Sequence, residues 1–454
     1  MAFPDSMYLN QSSKNNVRQW LGLVFASLAF VLPLVWFVSG ANDAIIDKMI
    51  RVMFVLFLLG IGQKAPQVYY KDRLIWLCAL LALILVVGYI WQCFSVPEEL
   101  FNGSKARKFL PAFCFFVVMA YGISAAPKVS PFFLLITAGT GLLFHLSSVP
   151  ADVWMAAWQG KRLDFGLANA QHAGVIFSTA LLAGVFFLPR TSSLPFKARM
   201  LVLPLLVGFI LLMVFGVIAT QTRAVWLGLA LSVISLLLFC AVPLLTGRCS
   251  VHWRALAWVA ATGVGILLAG SVMLYFMGGS VTQRLSAETI DTATIKEMAQ
   301  LKTVKHSSVG IRIGSWSAAR EWIAERPVFG WGGCEVSKLI KQSPHFDEDF
   351  KKEFKHLHNS YLETLVNVGS AAFICMIAIA FLVAWRTIMT WRQGQMPTDV
   401  FLFSCAFFLF WLTVNIFEPY IINAAGFFLN AVIGGFVCSW CLRSQHDQAE
   451  LKIV

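Results

Sequence analysis

A series of long apolar runs constrains this chain more than any other feature. Many of them approach or exceed the roughly 20 residues that a helix needs to cross a bilayer. Inside lipid, backbone N–H and C=O groups find hydrogen-bond partners only in helices or closed barrels. We therefore predict an all-α polytopic membrane protein of about 12 transmembrane helices. The predicted spans cover residues 18–39, 46–62, 74–95, 109–126, 130–148, 172–189, 198–219, 224–245, 255–278, 359–385, 399–417 and 420–442.

Composition excludes a soluble core and offers no sign of a nucleotide or nucleic-acid partner. The 454 residues are 58% hydrophobic and 13% charged, which is typical of membrane proteins. The net charge of +12 is explained mainly by the basic bias of membrane-protein loops. We find no P-loop or dinucleotide fingerprint and expect no cofactor. Most cysteines lie in or near apolar runs, so a disulfide framework is not predicted.

Lysine and arginine positions predict the orientation. Lysine and arginine are more numerous in the connections on the N-terminal side of the membrane than in the short connections on the other side. Because cytoplasmic loops carry an excess of these residues, we predict that both termini lie in the cytoplasm. The chain then divides into spans one to nine (1–278), an extracytoplasmic loop (279–357), and spans ten to twelve with a short tail (358–454). Helical spacing predicts two amphipathic helices in the loop, at 309–329 and 346–358, with a tight turn at Gly330–Gly333.

His358 is the candidate catalytic base. It stands where the polar loop ends and span ten begins, so its imidazole can meet both water and a lipid-borne substrate. Imidazole exchanges protons near neutral pH. The alternative is a structural role at the helix start, where Asn359 and Ser360 are residues suited to capping. His356 is a weaker rival for the catalytic role.

Two arginines on separate outer segments are candidates for anion binding. Arg223 begins span eight, where a charge is costly unless it is paired or functional, and Arg312 lies on the apolar loop helix. A planar guanidinium binds phosphate oxygens in a bidentate manner. Each arginine also has a plainer explanation, as a snorkelling or a solvated side chain. Asn359, beside the base, is a weaker site candidate. Further polar residues at the entrance to span six are weaker candidates for phosphate or sugar binding: Lys161, Arg162, Asn169, Gln171 and His172.

We predict no metal site. Asp347, Glu348 and Asp349 are adjacent on one helical turn and point in different directions, which favours a solvated acidic surface. A transporter is a second class of function, but its polar groups would interrupt the middle of the spans. Here the notable polar groups lie at the outer ends, which favours surface chemistry.

The chain resembles the O-antigen ligase and polymerase superfamily, and most closely the O-antigen ligases. Arg223–Leu227 is similar to the family's Arg-x-x-x-Leu element. The segment from Arg312 to Gly332 resembles its loop helix and Pro/Gly turn, and His358–Glu363, followed by Gly369, resembles its His-Asn element.

The resemblance implies a metal-independent, inverting glycosyltransferase of the type C class in the inner membrane of a Gram-negative bacterium. The implied donor is an O-antigen glycan on undecaprenyl pyrophosphate, and the implied acceptor is a sugar of lipid A–core at the periplasmic face. Arg223 and Arg312 would bind the pyrophosphate, and His358 would be the general base. O-antigen polymerase and protein O-oligosaccharyltransferase activities remain alternatives, as does transport of lipid-linked glycan.

Overall fold

Helices form all of the regular secondary structure in the part of the chain that the structure describes. The computed structural model describes residues 5–40, 44–61, 71–100, 109–246, 308–332 and 336–451. Those ranges contain α-helices and short 3₁₀ helices and no strand. The predicted all-α fold class is therefore confirmed.

The helices are numbered in chain order. The first seven are α1 (Asp5–Ser39), α2 (Ala44–Leu58), α3 (Arg73–Ser95), α4 (Phe109–Ser124), α5 (Phe132–Ser147), α6 (Ala151–Trp158) and α7 (Ala170–Phe187). They are followed by α8 (Phe196–Ala219), α9 (Arg223–Thr246), α10 (Ser308–Glu325), α11 (Val336–Gln342), α12 (Glu348–Glu353), α13 (Ser360–Arg392), α14 (Thr398–Val414) and α15 (Ala424–Leu451).

Several of these helices are long and apolar enough to cross a membrane, so the chain is a multi-pass membrane protein. Within the described ranges six helices meet that test, or seven if α5 and α6, which meet at a bend of 95°, form one broken span. This is fewer than the twelve spans predicted, because helices such as α4 and α14 are apolar but shorter than 18 residues. The predicted span at 255–278 lies outside the described residues.

Close packing between helices builds the main core. The helices α4 and α15 make the most extensive helix pair, and small residues allow this approach. A Cβ at Gly435 would lie 2.6 Å from the Cβ of Met119, and one at Gly434 would lie 2.8 Å from that of Phe116. Because lipid offers no hydrophobic drive for helix association, such close contact contributes van der Waals energy instead.

Buried charges tie the helices together at one end of the bundle. Asp72 is 4% exposed and caps α3 by accepting a hydrogen bond from Leu74 N. Its carboxylate also accepts hydrogen bonds from Tyr121 of α4 and Arg386 of α13. An intramembrane carboxylate is costly unless paired, and here the pairing joins three helices.

A second, smaller hydrophobic core lies at the end of the helix bundle opposite Asp72. We call this end of the bundle the site end. The second core joins α10, α11 and α12 to residues before α4 and to Leu357. The predicted helix at 346–358 is shorter in the structure, where α12 covers Glu348–Glu353. The chain leaves the helix at Phe354 in an extended conformation, because Leu357 must reach this core, where it is fully buried. The helix α11 was not predicted.

A break in α13 connects the second core to the bundle. Gly369 has φ 76° and ψ −179° inside the helix, which leaves backbone groups on both sides without helical partners. The turn after α10 supplies them: Ser370 N donates to Pro327 O at 2.8 Å, and Trp331 N donates to Val366 O at 2.8 Å. Gly330, at φ 66°, makes the close approach possible. The turn in the structure covers residues 327–329, whereas Gly333 of the predicted turn lies outside the described residues.

Candidate active site

One cavity at the site end gathers most of the predicted site residues. It has a volume of about 510 Å³ and lies among the starts of α7, α9, α10 and α13. Its lining consists of Arg162, Gln171, Gln221, Thr222, Arg223, Ala224, Leu227, Val309, Ile311, Arg312, Phe354, His358 and Phe417. Arg223, Arg312 and His358 come from three separate segments, and the fold brings them to this cavity.

A strained turn sets the position of Arg223 as the first residue of α9. Gln221 has φ 47°, a conformation uncommon outside glycine, and its side-chain amide donates to Gly160 O at 2.6 Å. Arg162 Nε donates to Thr220 O at 3.2 Å, so the α6–α7 connection braces the same turn. The two arginines thus approach the cavity from adjoining loops.

Arg312 reaches the cavity from the first turns of α10. Its Nε donates to Phe417 O in the connection between α14 and α15, at 3.4 Å. Val309 and Ile311 line the cavity beside it. Apolar neighbours lower the local dielectric and strengthen any interaction between a guanidinium and an anion.

His358 has a strained backbone that its neighbours hold in place. Its φ of 52° is unusual for a residue with a Cβ and costs of order 1–3 kcal/mol. On one side Leu357 N donates to Glu363 Oε2 at 2.9 Å. On the other, Asn359 caps α13 and accepts hydrogen bonds from Tyr361 N and Leu362 N. Strain that is held in this way is a feature of functional sites.

A buried carboxylate orients the His358 ring. His358 Nδ1 lies 3.0 Å from Glu418 Oε2, and the ring nitrogen donates because an ionised carboxylate only accepts. His358 Nε2 is buried and has no hydrogen-bond partner within the described residues. With the proton on Nδ1, Nε2 carries the lone pair, which is the form that a general base requires.

Glu418 is held firmly where α14 and α15 are joined. It is 3% exposed, and Ser360 Oγ donates to its backbone oxygen at 3.1 Å. Burial opposes its ionisation, but the hydrogen bond from His358 and the nearby His356 outweigh that effect and lower its pKa. Burial and the charge of His358 lower the pKa of His356 to about 4.

Sequence reasoning missed Glu418 and Gln221. Glu418 carried a signal, because it is a lone acid between two apolar runs, and an ionisable residue at such a place marks a functional site by default. Gln221 gave no comparable signal, since its backbone conformation is visible only in the structure.

The remaining predicted residues divide into those that line the cavity and those that do not. Arg162 and Gln171 line it. His172 is buried nearby, with its Nε2 3.4 Å from Asn423 Nδ2, while Lys161 is exposed and is not part of the lining. Asn359 serves as the helix cap described above.

The three adjacent acidic residues Asp347, Glu348 and Asp349 do not converge on a common metal site. Asp347 caps α12 by accepting a hydrogen bond from Phe350 N, and Glu348 and Asp349 pair with lysines one turn later. In the described ranges, the group of three side chains close enough to share an ion is His356, His358 and Glu418.

Comparison with known families gives this site a context. The sequence profile described as O-antigen ligase matches residues 208–377. This segment of the chain is similar to the O-antigen ligase family. A search of curated proteins found no match to the chain.

The O-antigen ligase segment contains part of the candidate site. Arg223, Arg312 and His358 lie inside the matched residues, whereas Glu418, Arg162 and Gln171 come from outside them. The family comprises glycosyltransferase-like enzymes, both ligases and polymerases, and its substrates are in general lipid-linked O-antigen and lipid A–core. A cavity lined by three arginines and a histidine is compatible with an enzyme of that kind.

Proposed function

We propose that this chain is an O-antigen ligase of the Gram-negative inner membrane. It transfers a glycan from undecaprenyl pyrophosphate to a sugar hydroxyl of lipid A–core, with the site end in the periplasm and both termini in the cytoplasm. The observation that carries the proposal is the convergence of Arg223, Arg312 and the His358–Glu418 pair on one cavity. The family match covers the first three of these residues.

In the proposed reaction, the base and the arginines act at opposite ends of the displacement. His358 Nε2 takes the proton of the acceptor hydroxyl as its oxygen bonds to the anomeric carbon of the donor sugar. The bond from that carbon to the pyrophosphate oxygen breaks, and undecaprenyl pyrophosphate leaves as an anion. Attack from the face opposite the leaving group inverts the anomeric centre.

Arg223 and Arg312 would neutralise the leaving group. Each guanidinium can donate two parallel hydrogen bonds to phosphate oxygens, and fixed donors aimed at developing charge are a large source of catalysis. Arg162 lies on the same cavity and would extend this positive surface. With charge neutralised in this way, the reaction needs no metal.

Glu418 would act through His358. Its carboxylate keeps the proton on Nδ1 and stabilises the imidazolium that forms when Nε2 accepts a second proton. A buried acid that orients a catalytic histidine has the same purpose in hydrolytic triads.

An apolar groove next to the site would hold the isoprenoid chain of the donor. It has a volume of about 550 Å³ and runs between α13, α14 and α15. Tyr361 and Asn415, which line it, stand beside His358 and Glu418 along the chain. A lipid in this groove would therefore have its head group close to the arginines.

Reconstitution in vesicles tests the proposal. Undecaprenyl-pyrophosphate glycan is supplied with and without lipid A–core, with no nucleotide sugar, and the glycan is followed by gel. We expect it to move onto lipid A–core, and His358→Ala to lose this activity while His345→Ala, a change outside the cavity, retains it. Longer lipid-linked glycan without the acceptor would indicate the polymerase reaction of the same family. An absence of transfer by folded protein would contradict both.

A further inference from the structure

Three potential metal ligands surround the base. His356, His358 and Glu418 each offer one ligand atom within 4.8 Å of the others. His356 Nε2 lies 3.8 Å from Glu418 Oε1, and His358 Nδ1 lies 3.0 Å from Glu418 Oε2. The side chain of His356 is 36% exposed, so this group is accessible from outside the buried pair.

The spacing is within reach of a small transition-metal ion. Bonds of about 2.0–2.1 Å place the ligand atoms of a tetrahedral zinc ion roughly 3.3 Å apart. The three ligand atoms here lie within 4.8 Å of one another, so a bound ion would draw them closer together. Two imidazoles and one carboxylate form a ligand set that zinc accepts while keeping a position open for water. Magnesium and calcium prefer oxygen ligands alone, so the set selects the zinc class of ion.

The ring atoms that face Glu418 are His356 Nε2 and His358 Nδ1. An ion bound between them would leave the opposite ring nitrogens, His356 Nδ1 and His358 Nε2, uncoordinated. Arg312 adds a positive charge near His356. This charge repels all cations, so an ion that binds here must form strong bonds to imidazole nitrogen.

We propose that a divalent ion of the zinc class binds His356, His358 and Glu418 and switches off the base. The inhibition rests on the proposed transfer reaction. When a metal occupies Nδ1 of a neutral imidazole, the ring proton resides on Nε2. His358 then presents a donor to the acceptor hydroxyl in place of a lone pair, and Glu418 becomes a ligand in place of a hydrogen-bond acceptor. Metal binding and general-base catalysis therefore exclude each other.

Cobalt titration tests the site without requiring activity. Full-length protein, purified without a histidine tag and treated with chelator, is titrated with Co²⁺ while visible absorption is recorded. We expect one saturable site whose bands are lost on addition of Zn²⁺ and persist with the same concentration of Mg²⁺. His356→Gln should weaken Co²⁺ binding at least tenfold, and His345→Gln, outside the cluster, should leave it unchanged. An absence of saturable binding, or equal affinity in His356→Gln, would overturn the site.

The transfer assay tests the switch. Zn²⁺ should inhibit the wild-type protein, chelator should restore the rate, and His356→Gln should require at least tenfold more Zn²⁺ for the same inhibition. Cobalt binding without inhibition of an active protein would overturn the tautomer argument. If the protein shows no transfer at all, the proposed function fails, and the cobalt titration still decides the metal site.

Discussion

At the scale of single residues, the site depends on how the protein directs two nitrogen atoms of one ring. His358 Nδ1 lies 3.0 Å from a buried carboxylate oxygen, and His358 is one of the residues that line the cavity. A histidine at a helix start, without that carboxylate, could adopt either tautomer. The proposed chemistry therefore depends on Glu418 as much as on the base itself.

Replacement of Glu418 tests this dependence. Glu418→Gln keeps the shape and an acceptor oxygen but removes the charge that stabilises the imidazolium. We expect kcat to fall about 10- to 100-fold, a part of the 10²–10⁴ that general-base catalysis supplies, with little change in KM for either substrate. Glu325→Gln, at the exposed end of α10, is the matched control. A rise in KM with unchanged kcat would show that Glu418 shapes binding and does not support the base.

The geometry of Arg223 is tested by a change that keeps its charge. Arg223→Lys retains the positive charge but loses the planar pair of donors. Loss of a charged hydrogen bond costs about 1.5–3 kcal/mol, so kcat/KM for the lipid-linked donor should fall roughly 10- to 100-fold. Arg320→Lys, an exposed change on α10, should have no effect. Wild-type kinetics in Arg223→Lys would leave Arg223 a structural role only.

At the scale of elements, the break in α13 couples the loop helices to the bundle. The turn after α10 bonds to the backbone of α13 on both sides of Gly369, and α10 carries Arg312 while α13 begins beside His358. The separation between the helix starts that carry Arg312 and His358 therefore depends on backbone hydrogen bonds more than on flexible side chains.

A methyl group at the break should disturb this coupling. The Cβ of Gly369→Ala would lie 2.1 Å from Val328 O, in addition to the roughly 1–3 kcal/mol cost of the left-handed backbone. We expect a lower Tm in detergent and a transfer rate reduced by more than tenfold. Gly394→Ala is the matched control, because Gly394 has φ 71° and a Cβ added there would have no other atom within 4 Å. If both substitutions lowered Tm and the transfer rate equally, backbone strain alone would explain the loss.

At the scale of the whole molecule, the polar groups are divided between two ends. The site end holds the cavity and the second core, and the other end holds the buried Asp72–Arg386 pair and the ion pair of Arg190 with Asp399. A lipid-borne donor and an amphiphilic acceptor can both reach a site placed at such an end. The lining of the apolar groove includes Tyr361 and Asn415, each three residues along the chain from His358 or Glu418.

Filling the groove should affect the donor specifically. Ala380 lines it on α13, and Ala380→Trp would occupy space that we assign to the isoprenoid. We expect KM for the full-length undecaprenyl donor to rise about tenfold and KM for a short-chain analogue to change less. Ile374→Trp, at an exposed position of the same helix, is the control. Equal changes for both donors would place the isoprenoid elsewhere.

Labelling of single cysteines tests the orientation. In a background with all ten native cysteines replaced by serine, Glu325→Cys at the site end should react with an impermeant maleimide applied to spheroplasts. Lys128→Cys, between α4 and α5, should react only after the membrane is opened. The reverse pattern would place the site in the cytoplasm and contradict the proposed reaction.

The all-helical membrane class and three residues of the candidate site could be predicted from the amino-acid sequence alone. Long apolar runs indicate helices because lipid offers the backbone no hydrogen-bond partners. Arg223 and His358 stand at the ends of such runs, and Arg312 stands on the amphipathic helix of the loop. Tertiary structure decided the rest. Glu418 lies 60 residues from His358 in the chain, and no local periodicity shows which loops meet at one end of a bundle. The short α12 and the break at Gly369 likewise follow from the burial of Leu357 and from hydrogen bonds with a distant turn, which are long-range contacts that override local preference.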